Sequence, residues 1–152
     1  ATFMMMLMFC IFGHFQSPSN PSVTTTRNLI IQCLAVYLGE SIDQLVKEYS
    51  DADGDGVSQD LSEQKIKIYK IQAAGTEDDD DIGIVLEGVR VMAALGNLPR
   101  ACAMLVGLTY AVDLAYPKEL RYILEVFQKL FLELDCARLS PKLNSLKNKL
   151  MV

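Results

Sequence analysis

The sequence predicts a mainly α protein: a helical pair, then a C-terminal bundle of three to four helices, with one short β-strand at about 64–71. Three observations carry that expectation. Apolar residues recur at helical spacing through most of the chain beyond residue 26. Ser, Asn and Pro stand where those periodic runs begin. Only Lys65-Ile66-Lys67-Ile68 alternates with period two, the signature of a strand. At 152 residues and 51% hydrophobic content, the chain is sufficient for one domain with its own core.

The leader stands apart. ATFMMMLMFCIFGHF, residues 1–15, is apolar but shorter than the roughly 20 residues that span a bilayer. It lacks the basic start of a secretory signal, so no membrane is expected unless it is a genuine signal segment. QSPSNPSVTTT then breaks the pattern, and residues 1–26 are read as lying outside the domain.

Residues 27–50 read as two short helices. RNLIIQCLAVYLG places Leu29, Ile30, Cys33, Leu34 and Tyr37 on one face, and Gly39 stops it. SIDQLVKEYS restarts with Ser41 as cap and Gln44 completing a capping box, over an apolar face of Ile42, Leu45, Val46 and Tyr49. Residues 51–81 read as acidic linkers flanking the extended KIKIYKI, which would pair with another copy or simply lie extended. Asp78 to Asp81 form a like-charge block, read as solvated.

Residues 82–152 form the expected helical core. IGIVLEGVRVMAALGN offers Val85, Val89, Met92 and Leu95 on one helical face, weakened by Gly88 and its β-branched neighbours. NLPRACAMLVGLTYAVDLAY starts near Asn97 with Pro99 in its first turn and is apolar nearly all round, as a central buried helix would be. YPKELRYILEVFQKLFLELD spaces Leu120, Ile123, Leu124, Phe127, Leu130, Phe131 and Leu134 as a clean amphipathic helix. SPKLNSLKNKLMV begins on the cap Ser140 with Pro141 behind it and carries Leu143, Leu146 and Leu150 against a lysine-rich back.

Chemistry is sparse. DADGDGVSQDLSE matches a calcium loop at Asp51, Asp53, Asp55 and Gly56, with Val57 offering a carbonyl. It fails where the loop needs an aliphatic residue (Ser58) and a bidentate glutamate (Ser62), with Glu63 one place too late. The reading is a flexible acidic turn, with Asp51, Asp53 and Asp55 as the only candidate calcium ligands and no metal assigned. His14 is the single histidine and lies in the leader, so nucleophile–histidine catalysis has no base. Glu87, Asp113, Glu125 and Glu133 read as solvated helix edges, and no catalytic residue or cofactor is assigned. The net charge of −5 disfavours nucleic acid. Cys10, Cys33, Cys102 and Cys136 each sit in apolar runs and form no CxxC pair, which favours buried thiols in a reducing, intracellular compartment. The absence of an N-x-[ST] acceptor agrees with that location.

The strings RNLIIQCLAVYLGESIDQLVKEYSD and DIGIVLEGV…LGN…AC…L.GL.YA..L.YP..L.Y..EVFQK…ELD…LSPK together resemble the C-terminal region of a multi-copy fish group of uncharacterised proteins, labelled similar to sterile-alpha-motif-domain-containing protein 3. The resemblance spans Arg27 to Leu150 and implies variable acidic linkers and no catalytic motif. The expected function is a non-catalytic protein–protein interaction or oligomerisation module, the C-terminal piece of a longer protein. A degenerate calcium-binding loop at 51–62 or a transposon-derived protein are the alternatives.

Overall fold

A computed structural model of the chain describes residues 23–75 and 80–151. Four strands run in the order β1 (Val46–Ser50), β2 (Ile66–Gln72), β3 (Asp81–Leu86) and β4 (Val89–Met92), each hydrogen-bonded to the next. Around them lie α1 (Val23–Leu38), α2 (Asp55–Ser62), α3 (Leu98–Ala111), α4 (Arg121–Val126) and α5 (Pro141–Leu150). Past Val126, α4 continues as a π-turn over Phe127–Phe131. The protein is therefore α/β, which corrects the expectation of a mainly α, all-helical core.

The sheet is mixed. β1 runs parallel to β2 with Val46 opposite Ile68, and α2 is the crossover between them. β2 and β3 are antiparallel, with Ile68 opposite Ile84, and β3 turns tightly into β4. Period-two alternation then divides each strand between two layers. Val46, Ile66, Ile68, Ile82, Ile84 and Leu86 point toward α1, α3, α4 and α5 and join the large core. Tyr49, Tyr69 and Val85 point the other way and meet Val57 and Leu61 of α2 in a second, smaller cluster.

Three sequence expectations fail. Ile42, Leu45, Val46 and Tyr49 have helical spacing, yet only Ile42–Gln44 makes a 3₁₀ turn before β1 begins, and Ser41 makes no side-chain cap. Residues 82–97 also show helical spacing, yet they form the β3–β4 hairpin. β3 is covered on both faces and so is near-continuously apolar, which hides the alternation that marks a strand, whereas β1 and β4 are short edge strands with little burial. The hairpin turn is Glu87–Gly88, with φ of 49° and 76°, the left-handed pair that a two-residue turn requires. A side chain on Gly88 would strike the Ser62 carbonyl. Finally, β2 is a central strand with partners on both sides, and not a lone strand awaiting another copy.

The caps hold. α1 stops at Leu38, and Gly39 takes φ of 74°. Asn97 caps α3 by accepting from the Arg100 amide at 2.9 Å, with Pro99 in the first turn. Ser140 accepts from the Leu143 amide at 3.4 Å at the head of α5. Residues 23–26, read as leader, are the first turn of α1.

Candidate functional site

The acidic stretch is folded, and Asp53 is committed to backbone. Asp51–Asp53 make a 3₁₀ turn in which Ser50 Oγ accepts from the Ala52 amide at 3.3 Å. Asp53 Oδ2 returns the bond by accepting from the Ser50 amide at 2.9 Å. Asp55 opens α2, and Val57, the expected carbonyl ligand, is buried in that helix. Among the described residues no three His, Cys, Asp or Glu side chains converge as metal ligands. The linker reading is corrected: 55–62 is a helix whose Val57 and Leu61, four apart, seal the second face of the sheet.

A polar tie anchors α2. Tyr49 donates its hydroxyl to Asp60 Oδ2, and Lys47 Nζ sits 2.7 Å from the same oxygen. Burial, then the hydrogen bond to Asp60, pushes the Tyr49 phenol above its ordinary value. The Lys47 and Tyr49 donors hold the Asp60 carboxyl below its usual range. The pair is thus locked as neutral donor and ionised acceptor, with no base poised near neutrality. Beside it, Lys67 Nζ donates to the Gln44 carbonyl at 2.7 Å, and burial lowers its pKa. The Arg90 guanidinium lies 5.2 Å from the centre of the Tyr69 ring.

A second polar set joins the helices. Glu40 spends both carboxylate oxygens on the head of α4, accepting from the amides of Tyr122 at 2.7 Å and Ile123 at 2.8 Å. Burial raises its pKa, opposed by those two amides and by Lys142. Lys142 donates to the Leu38 carbonyl and stands 4.7 Å over the Tyr122 ring, so it fixes the end of α1 to α4 and α5. Glu125 is buried, accepts from the Ser140 amide at 3.1 Å and pairs with Lys129 at 3.3 Å. Glu125 is therefore not the solvated edge that its spacing suggested. Glu87, Asp113 and Glu133 sit at left-handed turn positions, with φ of 49°, 55° and 54°. Each buried acid here serves helix ends or a lysine, which is structural work.

Asp80 and Asp81, read as solvated, are also ties: Asp80 accepts from the Ala73 amide at 3.0 Å, and Asp81 accepts from the Ala94 amide at 2.9 Å. Asp78, Asp79, Cys10 and His14 lie outside the described residues. Cys33 and Cys102 are buried, and burial pushes the Cys102 thiol up to about 12. Cys136 is exposed, contrary to its expected burial.

What remains is an apolar surface. α3 buries Ala101, Cys102, Leu105, Val106 and Thr109 inward. Its outward side carries Ala103, Met104, Gly107, Tyr110 and Ala111, with Arg100 as the single charge. Met104 is 40% exposed and Tyr110 50%, so this helix is not buried all round as expected. A Cβ on Gly107 would meet nothing within 4 Å, so the middle of this side is open. Near its start, Pro99 joins Arg27, Ile30, Ile31, Phe127 and Phe131 around an apolar cleft of about 170 Å³. Phe127 and Phe131 meet edge to face at 5.1 Å, and the π-turn that carries them forms the cleft wall. Arg27 at this cleft has no ion pair among the described residues. No helix among the described residues is long and apolar enough to cross a membrane.

Compared with known protein families, curated proteins and solved structures, the chain matches none.

Proposed function

We propose that the chain is a non-catalytic interaction module that self-associates through the outward side of α3. The carrying observation is that side itself: Ala103, Met104, Gly107, Tyr110 and Ala111 present apolar atoms to water with no charge among them. Contiguous apolar patches on a folded surface mark contact sites. Ala103, Gly107 and Ala111 recur every four residues, so they form a low track along which a second helix approaches closely.

A closed two-fold pairing is self-complementary, so one such surface suffices. It also brings uncharged surface together in a chain of net charge −5, where copies otherwise repel. The ionisable clusters support the same reading, because their acids are spent on helix ends, on lysines and on the Tyr49 hydroxyl. The buried Cys33 and Cys102, unpaired thiols, support a reducing compartment.

Light scattering of the full chain over a wide concentration series tests the proposal. A mass that climbs from one chain to two, indifferent to calcium, is the expected result. A mass of one chain at every concentration ends it.

A further inference from the structure

α2 sits on the second face of the sheet through two apolar residues, Val57 and Leu61, and through a polar tie on each flank. At about 100° per residue, Ser58 and Asp60 lie roughly 80° to either side of the middle of that apolar stripe. Asp60 is tied to β1, through Lys47 and the Tyr49 hydroxyl. Ser58 is tied to β4, through Arg90 Nη2, which donates to its Oγ at 3.5 Å. β1 and β4 are the opposite edges of the sheet, so the helix is gripped from both sides.

The two ties are unequal. The β1 side pairs a cation with a carboxylate at 2.7 Å. The β4 side sets a cation against a neutral hydroxyl, at the far limit of a hydrogen bond. Among the described residues Arg90 has no carboxylate within ion-pair distance. Its guanidinium is nonetheless positioned, 5.2 Å from the centre of the fully buried Tyr69 ring. Ser58 is exposed. Ser50 and Ser62, by contrast, spend their hydroxyls within their own turns, on the Ala52 amide and the Gln59 carbonyl.

An arginine held in place across such a gap fits a phosphate better than the hydroxyl it meets. A phosphoryl group on Oγ carries up to two negative charges and reaches outward, and a guanidinium takes it in bidentate fashion. Of the two acids in α2, Asp60 stands on the other flank and is answered by Lys47. Asp55 is exposed, so water and salt screen its repulsion.

We propose that Ser58 is a phosphorylation site and that Arg90 receives the phosphate, turning the weak tie to β4 into an ion pair that matches Lys47–Asp60. The reaction needs ATP and a serine kinase. Ser58 Oγ attacks the γ-phosphorus, and the new O–P bond forms as the bond to the β,γ-bridging oxygen breaks. ADP leaves with that electron pair, and the hydroxyl proton passes to the kinase's base. With Asp55 and Asp60 on either side of the serine, the kinase groove that accepts it is basic. The modification fastens α2 over Tyr49, Tyr69 and Val85, on the face of the sheet away from α3, so it stands apart from self-association.

The test has two parts. First, the full chain is incubated with ATP and a serine kinase selective for acid-flanked serines, and the acceptors are located by mass spectrometry. Phosphate on Ser58 is expected, and a chain that takes none there overturns the site. Second, the full chain is made with phosphoserine in place of Ser58, with and without Arg90→Gln, and hydrogen exchange is followed at the amides of Val57 to Leu61. Phosphoserine should slow that exchange by roughly tenfold, the gain of one charge-assisted contact, and Arg90→Gln should abolish the gain. Exchange that is unchanged or faster with phosphoserine overturns the latch. Slowing that survives Arg90→Gln also overturns it, since the effect is then only that of charge near a helix start. Equal slowing of the unmodified chain by inorganic phosphate overturns it too, as the site then takes a free anion.

Discussion

α3 and α5 both pack on the large core, and they differ sharply in what they show outward. Each buries a narrow apolar stripe: Leu105 and Val106 among others in α3, Leu143 and Leu146 in α5. Outward, α5 carries Lys142, Asn144, Ser145, Lys147, Asn148 and Lys149. Among these, Lys142 and Lys149 are recruited by Leu38 and the Tyr37 hydroxyl. α3 carries Ala103, Met104, Gly107, Tyr110 and Ala111 instead. The difference teaches that two helices packed on one core can leave one wall polar and the other apolar.

The comparison requires the inward sides to be equivalent. Leu105→Ala and Leu143→Ala, both fully buried, should each cost about 3 kcal/mol in urea unfolding, within the range for a core leucine. A Leu105 loss far below that of Leu143 would mean that α3 is loosely seated and its outer face incidental. A smaller loss, about 2 kcal/mol, is expected for Glu40→Ala, which strips two amides at the head of α4 of their acceptor. Because that clamp lies away from α3, dimer affinity should be unchanged at concentrations where the variant is folded.

The lower face of the sheet supplies a control in which the ties are polar. Tyr49 has a folded-state pKa raised above its ordinary value near 10, so its stabilisation is complete below that pH and lost as pH rises further. Tyr49→Phe should therefore flatten the alkaline fall in stability. An unchanged alkaline slope would show that the Tyr49–Asp60 bond does not hold α2. The smallest expected effect is none: Asn148→Glu, on the outward side of α5, should alter neither stability nor association by more than about 0.5 kcal/mol. Loss of the dimer in that variant would move the interface to the wrong wall.

The same contrast explains what could be read from sequence. α1, α3 and α5 were legible because their stops and caps are local: Gly39, Asn97 with Pro99, and Ser140 with Pro141. β1 and the β3–β4 hairpin were not, since their identity comes from partners far along the chain. Val46 is a strand residue because Ile68 lies beside it. Glu87-Gly88 was the one local clue to the hairpin, masked by spacing that suits a helix equally well. α2 was missed because only Val57 and Leu61 of its eight residues are apolar. The apolar character of α3 was legible, whereas the exposure of half of it was not, because sequence does not show which sides neighbours cover. Glu40 and the Arg27 cleft are likewise products of assembly, joining residues that the chain keeps far apart.

The central claim is tested most directly by sedimentation of the full chain beside its Gly107→Glu variant. Gly107 lies mid-helix with open space before it, and Glu is the better helix former, so the fold should stand unharmed. The account predicts a concentration-dependent wild-type dimer and a folded, monomeric variant. Two species of identical mass at every concentration, whether both monomer or both dimer, would contradict it.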